Sequence, residues 1–305
     1  LLFGSGEDPA PGRYGVDLAV AGRLNQPTAS GTAKIEKGRY ENFASGAVLN
    51  FNSGDVTFDP SLPIEDGSAT IHSVSIAYGR SVGLAGRSAT LLVAVPIVGG
   101  HLEGLYLGER AVADRIGLAD MRIRVGVNLY GAPARRMPEF ATTPPSKYNV
   151  GASVTVIAPI GQYDPQRIVN LGNHRWAFKP EGAIIRNAGA WMFEIYGGVW
   201  LFTDNDDYVN GQVRSQNALA SAQFSLRRTF RPGLWASANI NYYTGGRTNV
   251  GGIFKQDFQA NSRAGLTLSV PFTRRNSVRF AVSQGAVTTI GADFLGLSAS
   301  FQQIF

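Results

Sequence analysis

Apolar and polar side chains alternate along several stretches of this chain, most clearly in Met121–Tyr130. Its odd positions carry apolar side chains only, whereas its even positions include Arg122, Arg124 and Asn128. Side chains of a β-strand point alternately to opposite faces, so a strand separates these two groups completely, whereas a helix would mix them. The stretch therefore predicts a strand with one apolar and one polar face.

The same alternation recurs along most of the chain. Residues 291–305 repeat it and end on Phe305, as the closing strand of an outer-membrane β-barrel does. Short turn-rich segments alternate with longer polar ones, which matches the short periplasmic turns and longer extracellular loops of such barrels. Residues 134–147 are the exception, because they fall on the predicted periplasmic side yet are long and contain proline. We therefore predict an all-β fold, a transmembrane antiparallel up-and-down β-barrel of about twelve strands. The predicted strands lie near residues 44–58, 69–81, 88–97, 121–130, 147–160, 175–187, 191–202, 216–228, 234–243, 261–271, 276–285 and 292–305.

Aromatic side chains gather toward the ends of the predicted strands. Amphipathic rings favour the headgroup level of a bilayer, and membrane barrels carry aromatic girdles at both interfaces. The ordinary β-propensity of aromatic residues predicts a similar enrichment, so both explanations stay open. The residues concerned are Trp176, Trp191, Trp200, Tyr242, Tyr243 and Phe305.

The composition fits a membrane barrel better than a soluble domain. Only 16% of the 305 residues are charged and 44% are hydrophobic, whereas soluble domains carry about 25% charged residues. There is no run of about 18 apolar residues, so strands must make any membrane crossing. The absence of cysteine excludes thiol catalysis and suits export through an oxidising periplasm. We expect a bacterial outer-membrane protein surrounded by lipid and lipopolysaccharide.

Residues 1–40 do not follow the strand rhythm. Gly, Pro and Ala punctuate the first dozen positions, and residues 13–24 fit either a strand or a short helix. We interpret residues 1–40 as a periplasmic or lumenal N-terminal extension and residues 41–305 as the barrel, although a disordered lead-in fits residues 1–40 equally well. The first residues lack the basic and apolar regions of a signal peptide, so we expect a processed form.

The strand faces opposite the apolar ones should enclose the lumen. Charged groups there need water or a partner, because an unpaired charge in a dry interior is costly. A barrel of about twelve strands should leave a narrow passage. Cations outnumber the two glutamates, which predicts a mild anion preference if these groups line the path, whereas Arg–Glu pairing as structural braces is the alternative. The candidate pore-lining residues are Arg122, Arg124, Asn128, Lys179, Glu181, Glu194, Gln223, Arg227, Asn239, Asn241, Arg263 and Arg279.

One predicted external loop, residues 161–174, carries polar and aromatic side chains that fit a constriction or recognition loop. Its sequence contains Asp-Pro and Leu-Gly-Asn steps, which are also ordinary turn chemistry. Both interpretations stay open. The candidate constriction residues are Tyr163, Asp164, Asn173 and His174.

Metal, cofactor and nucleic-acid binding have weaker signals. Asp204, Asn205, Asp206 and Asp207 offer oxygen ligands for calcium, but they lack EF-hand spacing, and a solvated loop tip explains them better. We expect no metal and no cofactor. The formal net charge of +6 comes from basic residues scattered singly, which argues against nucleic-acid binding.

An enzyme and a structural barrel are the rival classes. A hydrolase at the barrel rim would need a histidine, and the chain has only His72, His101 and His174, without GxSxG, HExxH or P-loop patterns. We therefore predict that the protein is not an enzyme. A structural barrel with a plugged lumen stays an alternative, with residues 1–40 as the candidate plug.

Several short motifs resemble a known family. They are FDPSLP at 58–63, NLYGAPA at 128–134, PIGQYDP at 159–165, NLGNHRWAFKP at 170–180, GGVWLFTDNDD at 197–207 and YYTGGRT at 242–248. From about residue 38 to residue 305, the chain is similar to the outer-membrane transporter family labelled as the MetA pathway of phenol degradation. The resemblance implies a twelve-stranded outer-membrane channel that admits small organic, often aromatic, molecules. We expect a monomeric channel for passive uptake.

Overall fold

The computed structural model describes residues 17–23, 26–32, 38–41, 48–51, 64–106, 109–131, 146–167, 169–273, 276–289 and 295–303 of the 305-residue chain. Over these residues the fold is all-β, apart from one 3₁₀ turn at Val209–Gly211. No helix in this part of the chain is long and apolar enough to span a membrane.

The described residues form the following strands, numbered in chain order. They are β1 (Asp17–Arg23), β2 (Gln26–Thr32), β3 (Gly38–Glu41), β4 (Val48–Phe51), β5 (Ile64–Leu84), β6 (Arg87–Tyr106), β7 (Glu109–Leu118), β8 (Met121–Tyr130), β9 (Tyr148–Ala158), β10 (Ala177–Ala188), β11 (Trp191–Phe202), β12 (Asn205–Tyr208), β13 (Gln212–Gln216), β14 (Leu219–Arg231), β15 (Leu234–Gly245), β16 (Thr248–Val250), β17 (Ile253–Phe254), β18 (Gln259–Pro271), β19 (Asn276–Val287) and β20 (Leu295–Gln303).

Twelve of these strands form one antiparallel sheet. Its hydrogen-bonded order is β20, β19, β18, β15, β14, β11, β10, β9, β8, β6 and β5, and β7 also pairs with β6. Strand β8 pairs with residues 89–94 of β6, and strand β7 pairs with residues 97–106 of β6. Strands β7 and β8 therefore lie one after the other along the same edge of β6. Strands that are close in sequence are therefore neighbours in the sheet. The predicted all-β, antiparallel, up-and-down fold of twelve strands is confirmed.

Tight turns join most successive strands at one end of the sheet, although the connection from β8 to β9 at that end spans residues 131–147. Ala85 and Gly86 connect β5 to β6 with φ of 49° and 74°, and two consecutive positive φ values give the turn twist that suits a two-residue hairpin. Gly189 and Gly233 occupy the corresponding turns after β10 and β14. Most connections at the opposite end are longer, as in residues 159–176, although β6 and β7 are only two residues apart. Apart from these two connections, this is the predicted pattern of short periplasmic turns and longer extracellular loops.

Two of the long connections contain strands that the sequence did not predict. Residues 203–218 include β12 and β13, and residues 246–258 include β16 and β17. These four strands form a separate sheet in which β13 pairs with β16, so the two loops are joined to each other. The extracellular end is therefore more ordered than a set of independent polar loops.

The main sheet exposes apolar side chains on one face and buries charged side chains on the other, which is the reverse of the arrangement in soluble proteins. In β11, Ile195 is 56% exposed while its neighbour Glu194 is only 2% exposed. Burial likewise alternates strictly from Ala177 to Arg186 in β10, where Lys179 and Glu181 lie on the buried side. Soluble proteins bury aliphatic side chains and expose charged ones. An outward apolar band with polar groups inside is instead the arrangement of a membrane β-barrel.

The predicted strand list needs two corrections. Strand β7 was missed, because Asp114 interrupts the apolar positions of its outward face. The stretch 44–58 was predicted as a barrel strand, but its described part, β4, pairs with β3 outside the twelve-stranded sheet. The rest of that stretch lies outside the described residues. Most of the predicted N-terminal extension lies there too, so its role stays a prediction.

The predicted aromatic girdle is only partly supported. Trp176, Trp191 and Tyr242 are exposed near strand ends, where lipid headgroups would meet them. Trp200 and Tyr243 lie on the opposite, less exposed face, because they follow Glu194 and Asn239 at even spacing along their strands. Their assignment to the girdle was wrong. Phe305 lies outside the described residues.

Candidate functional site

The buried face of the twelve-stranded sheet, here called the inner face, carries every candidate pore-lining residue. Their strand positions share the parity of the buried residues, so all twelve project to the same side. They differ in exposure. Those that are almost completely buried are Arg124, Asn128, Lys179, Glu181, Glu194, Arg227 and Arg279, and those that are partly exposed are Arg122, Gln223, Asn239, Asn241 and Arg263.

Glu181 is the centre of an ion cluster on β8 and β10. Its carboxylate lies 2.5 Å from Lys179 Nζ and 3.6 Å from a terminal nitrogen of Arg124. Arg124 also donates a hydrogen bond of 2.8 Å to Ser153 Oγ on the intervening strand β9. These side chains are at most 10% exposed, so their interactions are hardly screened by water. This cluster connects three adjacent strands.

Two arginines flank one indole ring near the periplasmic turns. The guanidinium carbons of Arg227 and Arg279 each lie 5.4 Å from the ring centre of Trp235. These residues come from β14, β19 and β15, and Arg227 also contacts the sulfur of Met192 on β11. A tryptophan face attracts cations, and the attraction is stronger where water is excluded. Trp235 thus helps to accommodate two positive charges side by side.

A row of partly exposed polar side chains crosses three strands. Gln223 pairs with Asn241, and Asn241 pairs with Arg263, so the three residues lie at one level of β14, β15 and β18. Arg263 donates a hydrogen bond of 3.3 Å to Ser283 Oγ on β19. We call Gln223, Asn241 and Arg263 the polar row. It lies in the extracellular half of these strands.

Asp120 fixes the loop of residues 159–176, which we call the β9–β10 loop. The backbone N–H of Gly161 donates to Asp120 Oδ1 over 2.9 Å, and that of Asn173 donates to Oδ2 over 2.8 Å. Gly161 and Gly172 touch at this point, and a β-carbon on either residue would collide with backbone atoms. One carboxylate therefore holds both ends of the loop at the break between β7 and β8.

The same loop packs on the inner face. Leu171 is 2% exposed and lies in a cluster with Ile71, Val98 and Ala119 from β5, β6 and the segment after β7. Gln162 fills the space above Gly117, where any β-carbon would collide with it. Ile71 and Val98 share the inner face of the sheet, so the loop folds inward over β5–β7.

Tyr163 and His174 meet at the outer part of the loop. Their rings stack with centroids 4.7 Å apart, and Tyr163 donates a hydrogen bond of 2.9 Å to the carbonyl of Asp207. Asn205, only 1% exposed, donates to Tyr163 Oη and to the carbonyl of Asn173. Burial raises the pKa of Tyr163 above its usual range. Of the candidate constriction residues, Tyr163, Asn173 and His174 thus form one packed group.

Asp164 is a local turn residue. It pairs with Arg167 at 2.8 Å and accepts a hydrogen bond from the backbone N–H of Gln166, while Asn170 bonds to its own N–H and carbonyl. These bonds bring Asp164 and Asn170 together, as in the turns that aspartate and asparagine favour. Asp164 therefore shapes the loop.

Some of the residues considered for calcium and for hydrolysis make other contacts. Asn205 Oδ1 accepts a hydrogen bond of 3.1 Å from the backbone N–H of Asp207, while the amide nitrogen of Asn205 donates into the β9–β10 loop. No group of three or more acidic or histidine side chains suited to a metal ion occurs in the described part of the chain. His174 stacks on Tyr163, and His101 pairs at 2.7 Å with exposed Asp114 on the neighbouring strand.

Sequence reasoning missed Asp120 and Trp235, two residues that organise the inner face. Asp120 follows a strand that was not predicted, and its partners lie 41 and 53 positions away. Trp235 is the second residue of the predicted strand 234–243, and nothing in the strand pattern distinguishes it. The turn sequence Arg-Pro-Gly before it fixes the strand start, but no sequence signal brings Arg279 to its ring.

Comparison with known proteins extends these observations. Residues 37–299 match a protein family described as "Putative MetA-pathway of phenol degradation". Among solved structures, the chain is similar to the crystal structure of the COG4313 outer membrane channel from Pseudomonas putida F1, with 18% identity, a TM-score of 0.67, and coverage of 90% of this chain and 92% of that chain. No curated protein matches the chain in sequence. The structural likeness shows an outer-membrane β-barrel fold, and the family resemblance predicted from the motifs is confirmed.

Proposed function

Because the chain belongs to the family described as the putative MetA pathway of phenol degradation, we propose that it is an outer-membrane channel for passive uptake of small organic molecules. The observation that carries this proposal is the sorting of side chains on each strand, with Ile195 at 56% exposure beside Glu194 at 2%. Such strands are stable where acyl chains surround the molecule and polar groups lie inside. The family and the fold favour a transporter over an enzyme.

The lumen is polar and mildly cationic in this proposal. The candidate pore-lining set has six cationic side chains and two glutamates. Glu181 is already shared between Lys179 and Arg124, so the charge left over is positive. Positive charge along a pore favours anions and polar solutes with negative dipole ends. We propose that the permeants are small organic acids and small aromatic molecules, in keeping with the family description.

The β9–β10 loop is the proposed constriction. It folds over the inner face of β5–β7 through Leu171 and Gln162, and Asp120 fixes both of its ends. Tyr163 and Asn173 connect it to β12, and His174 stacks on Tyr163 within the loop. A loop held on the inner face narrows the passage that twelve strands would otherwise leave. Its position supports selection by size at the extracellular entrance.

Uptake into liposomes tests this function. Purified protein is reconstituted, and the entry of benzoate, phenol and glucose is followed in parallel with protein-free liposomes. We expect benzoate and phenol to enter faster than glucose, and all three to follow their concentration gradients without an energy source. Rates equal to those of protein-free liposomes would contradict the channel proposal. We also propose a monomer surrounded by lipid and lipopolysaccharide, which the mass of the detergent-solubilised protein tests.

A plugged barrel is the second candidate function. The near-complete burial of seven candidate pore-lining side chains favours it, because groups facing an open aqueous path would be exposed. Deletion of residues 1–40 separates the two candidates. A large rise in single-channel conductance after deletion would indicate a plug, whereas equal conductance in both proteins would support an open passage.

A further inference from the structure

The inner face divides into two regions that differ in exposure. On β8–β11, four charged groups, Arg124, Lys179, Glu181 and Glu194, are at most 8% exposed, and only Arg122 of the candidate charged residues there is partly exposed. On β14, β15 and β18, by contrast, Gln223, Asn239, Asn241 and Arg263 are partly exposed. Water, and any molecule that travels with it, reaches side chains in proportion to their exposure. The second region therefore has the wall that a permeant can touch.

Arg263 is the partly exposed cation of that wall. The two other arginines of the candidate set on β14–β19, Arg227 and Arg279, are buried around Trp235. Arg263 is held in place by hydrogen bonds to Ser283 on β19, to its hydroxyl at 3.3 Å and to its carbonyl at 3.5 Å. Arg263 is also partly exposed, so its guanidinium, a planar fork of N–H donors, can be reached from the lumen.

Two amides stand beside Arg263 at the same level. Asn241 is its direct cross-strand partner, and Gln223 is the partner of Asn241 on the next strand. Neighbouring strands lie about 4.8 Å apart, so the polar row spans roughly 10 Å across the wall. Each amide offers donors and an acceptor. The row can therefore bind an anionic group at one end and a hydroxyl or carbonyl at the other.

Local packing leaves room for these side chains. A β-carbon at Gly265 would lie 2.7 Å from Asn239 Oδ1, so glycine at this position allows the amide of Asn239 to lie over β18 next to the polar row. On β11, the cross-strand partner of Gln223 is Tyr196, which is 4% exposed and closes the row on that side. The row is thus bounded by a buried ring at one end and by the Arg263–Ser283 contact at the other.

We propose that the polar row is a binding subsite for the carboxylate of a small organic anion, on a permeation path that follows the β14–β18 wall. The proposal rests on the channel function proposed above and specifies its substrate class. Arg263 binds the carboxylate through two N–H groups, because guanidinium and carboxylate match in geometry. Asn241 and Gln223 bind polar substituents further along the molecule. The buried ions of β8–β11 take no part in this recognition.

Benzoate titration of single channels tests the subsite. Arg263→Gln removes the charge and fork, whereas the matched control Arg228→Gln removes an exposed arginine from the outward face of β14, where it lies over Trp191. We expect Arg263→Gln to weaken benzoate block of chloride current about tenfold, as for loss of a charge-assisted hydrogen bond. Arg228→Gln should keep the wild-type block within about twofold.

The outcomes separate the subsite from the channel itself. If wild-type protein conducts and benzoate blocks Arg263→Gln as strongly as wild type, the subsite proposal is wrong and the channel proposal stands. If wild-type protein neither conducts nor takes up solute, both proposals fail. Arg263→Lys and Asn241→Ala provide two further variants in case Arg263→Gln does not fold. Arg263→Lys should keep anion preference but bind benzoate more weakly, and unchanged block in both variants would also overturn the subsite.

Discussion

Single carboxylates do much of the organising on the inner face of this barrel. Glu181 lies between Lys179 and Arg124 and connects β8 with β10. Asp120 accepts two backbone hydrogen bonds from one loop. The sequence predicted that Arg and Glu could act as braces, and Glu181 has that geometry. It could not show which glutamate does so, because Glu194 looks identical in the strand pattern and lies beside Ser225.

Glu181→Gln should destabilise the folded barrel strongly. The substitution leaves two buried cations without their shared carboxylate, and breaking a buried ion pair by removing one partner costs about 3–5 kcal/mol. Unfolding by guanidinium in detergent, followed by tryptophan fluorescence, measures the loss. The matched control is Glu103→Gln, which breaks the exposed pair with Arg110 and should change the unfolding midpoint very little. Equal midpoints for the two variants would contradict a bracing role for Glu181.

At the level of elements, the strand pattern was predictable and the loop structure was not. Strands such as β8 and β15 alternate cleanly because lipid and lumen impose opposite polarity on adjacent side chains. Strand β7 carries Asp114 outward and its hairpin with β6 has exposed ion pairs, as expected where strands project into water. There the lipid constraint is absent, and the alternation fades. Strands β12, β13, β16 and β17 are similarly short and polar.

The β9–β10 loop was predictable as a long external segment but not as an inward fold. Its turn at Asp164–Asn170 follows from local chemistry, and the sequence indicated it. Its position depends on Leu171 reaching the cluster with Ile71 and Val98, and on Asp120. These contacts join residues that are far apart in the chain. No local pattern encodes them.

Asp120→Ala should release the β9–β10 loop. The variant loses two hydrogen bonds to a charged acceptor, each contributing on the order of 1.5–3 kcal/mol. We expect faster tryptic cleavage after the exposed Arg167 and a higher single-channel conductance than wild type, because the loop leaves the inner face. The control is Asp206→Ala, which changes an exposed residue of β12 and should leave the cleavage rate and the conductance at their wild-type values. If Asp120→Ala is cleaved at the wild-type rate and has the wild-type conductance, the carboxylate does not position the loop.

At the scale of the whole molecule, the inner face carries more positive than negative charge. Six cations and two glutamates of the candidate set project to this side. We predict a mild anion preference, read as the reversal potential of a planar bilayer under a potassium chloride gradient. The preference should weaken at high salt, because counterions screen exposed charges over about 3 Å at 1 M. A cation-selective reversal potential would contradict the assignment of these groups to the permeation path.

We expect the outward apolar faces of the barrel to meet acyl chains and the opposite faces to enclose water. The cysteine-free chain permits a direct test by nitroxide labels at single introduced cysteines on β15. Labels that replace Ile240 and Tyr242 should be relaxed mainly by oxygen, which partitions into lipid. Labels that replace Asn239 and Asn241 should be relaxed mainly by a water-soluble nickel reagent. Alternation of the two accessibilities with period two is the predicted result. Uniform access of the nickel reagent to all four positions would contradict this arrangement of the two faces.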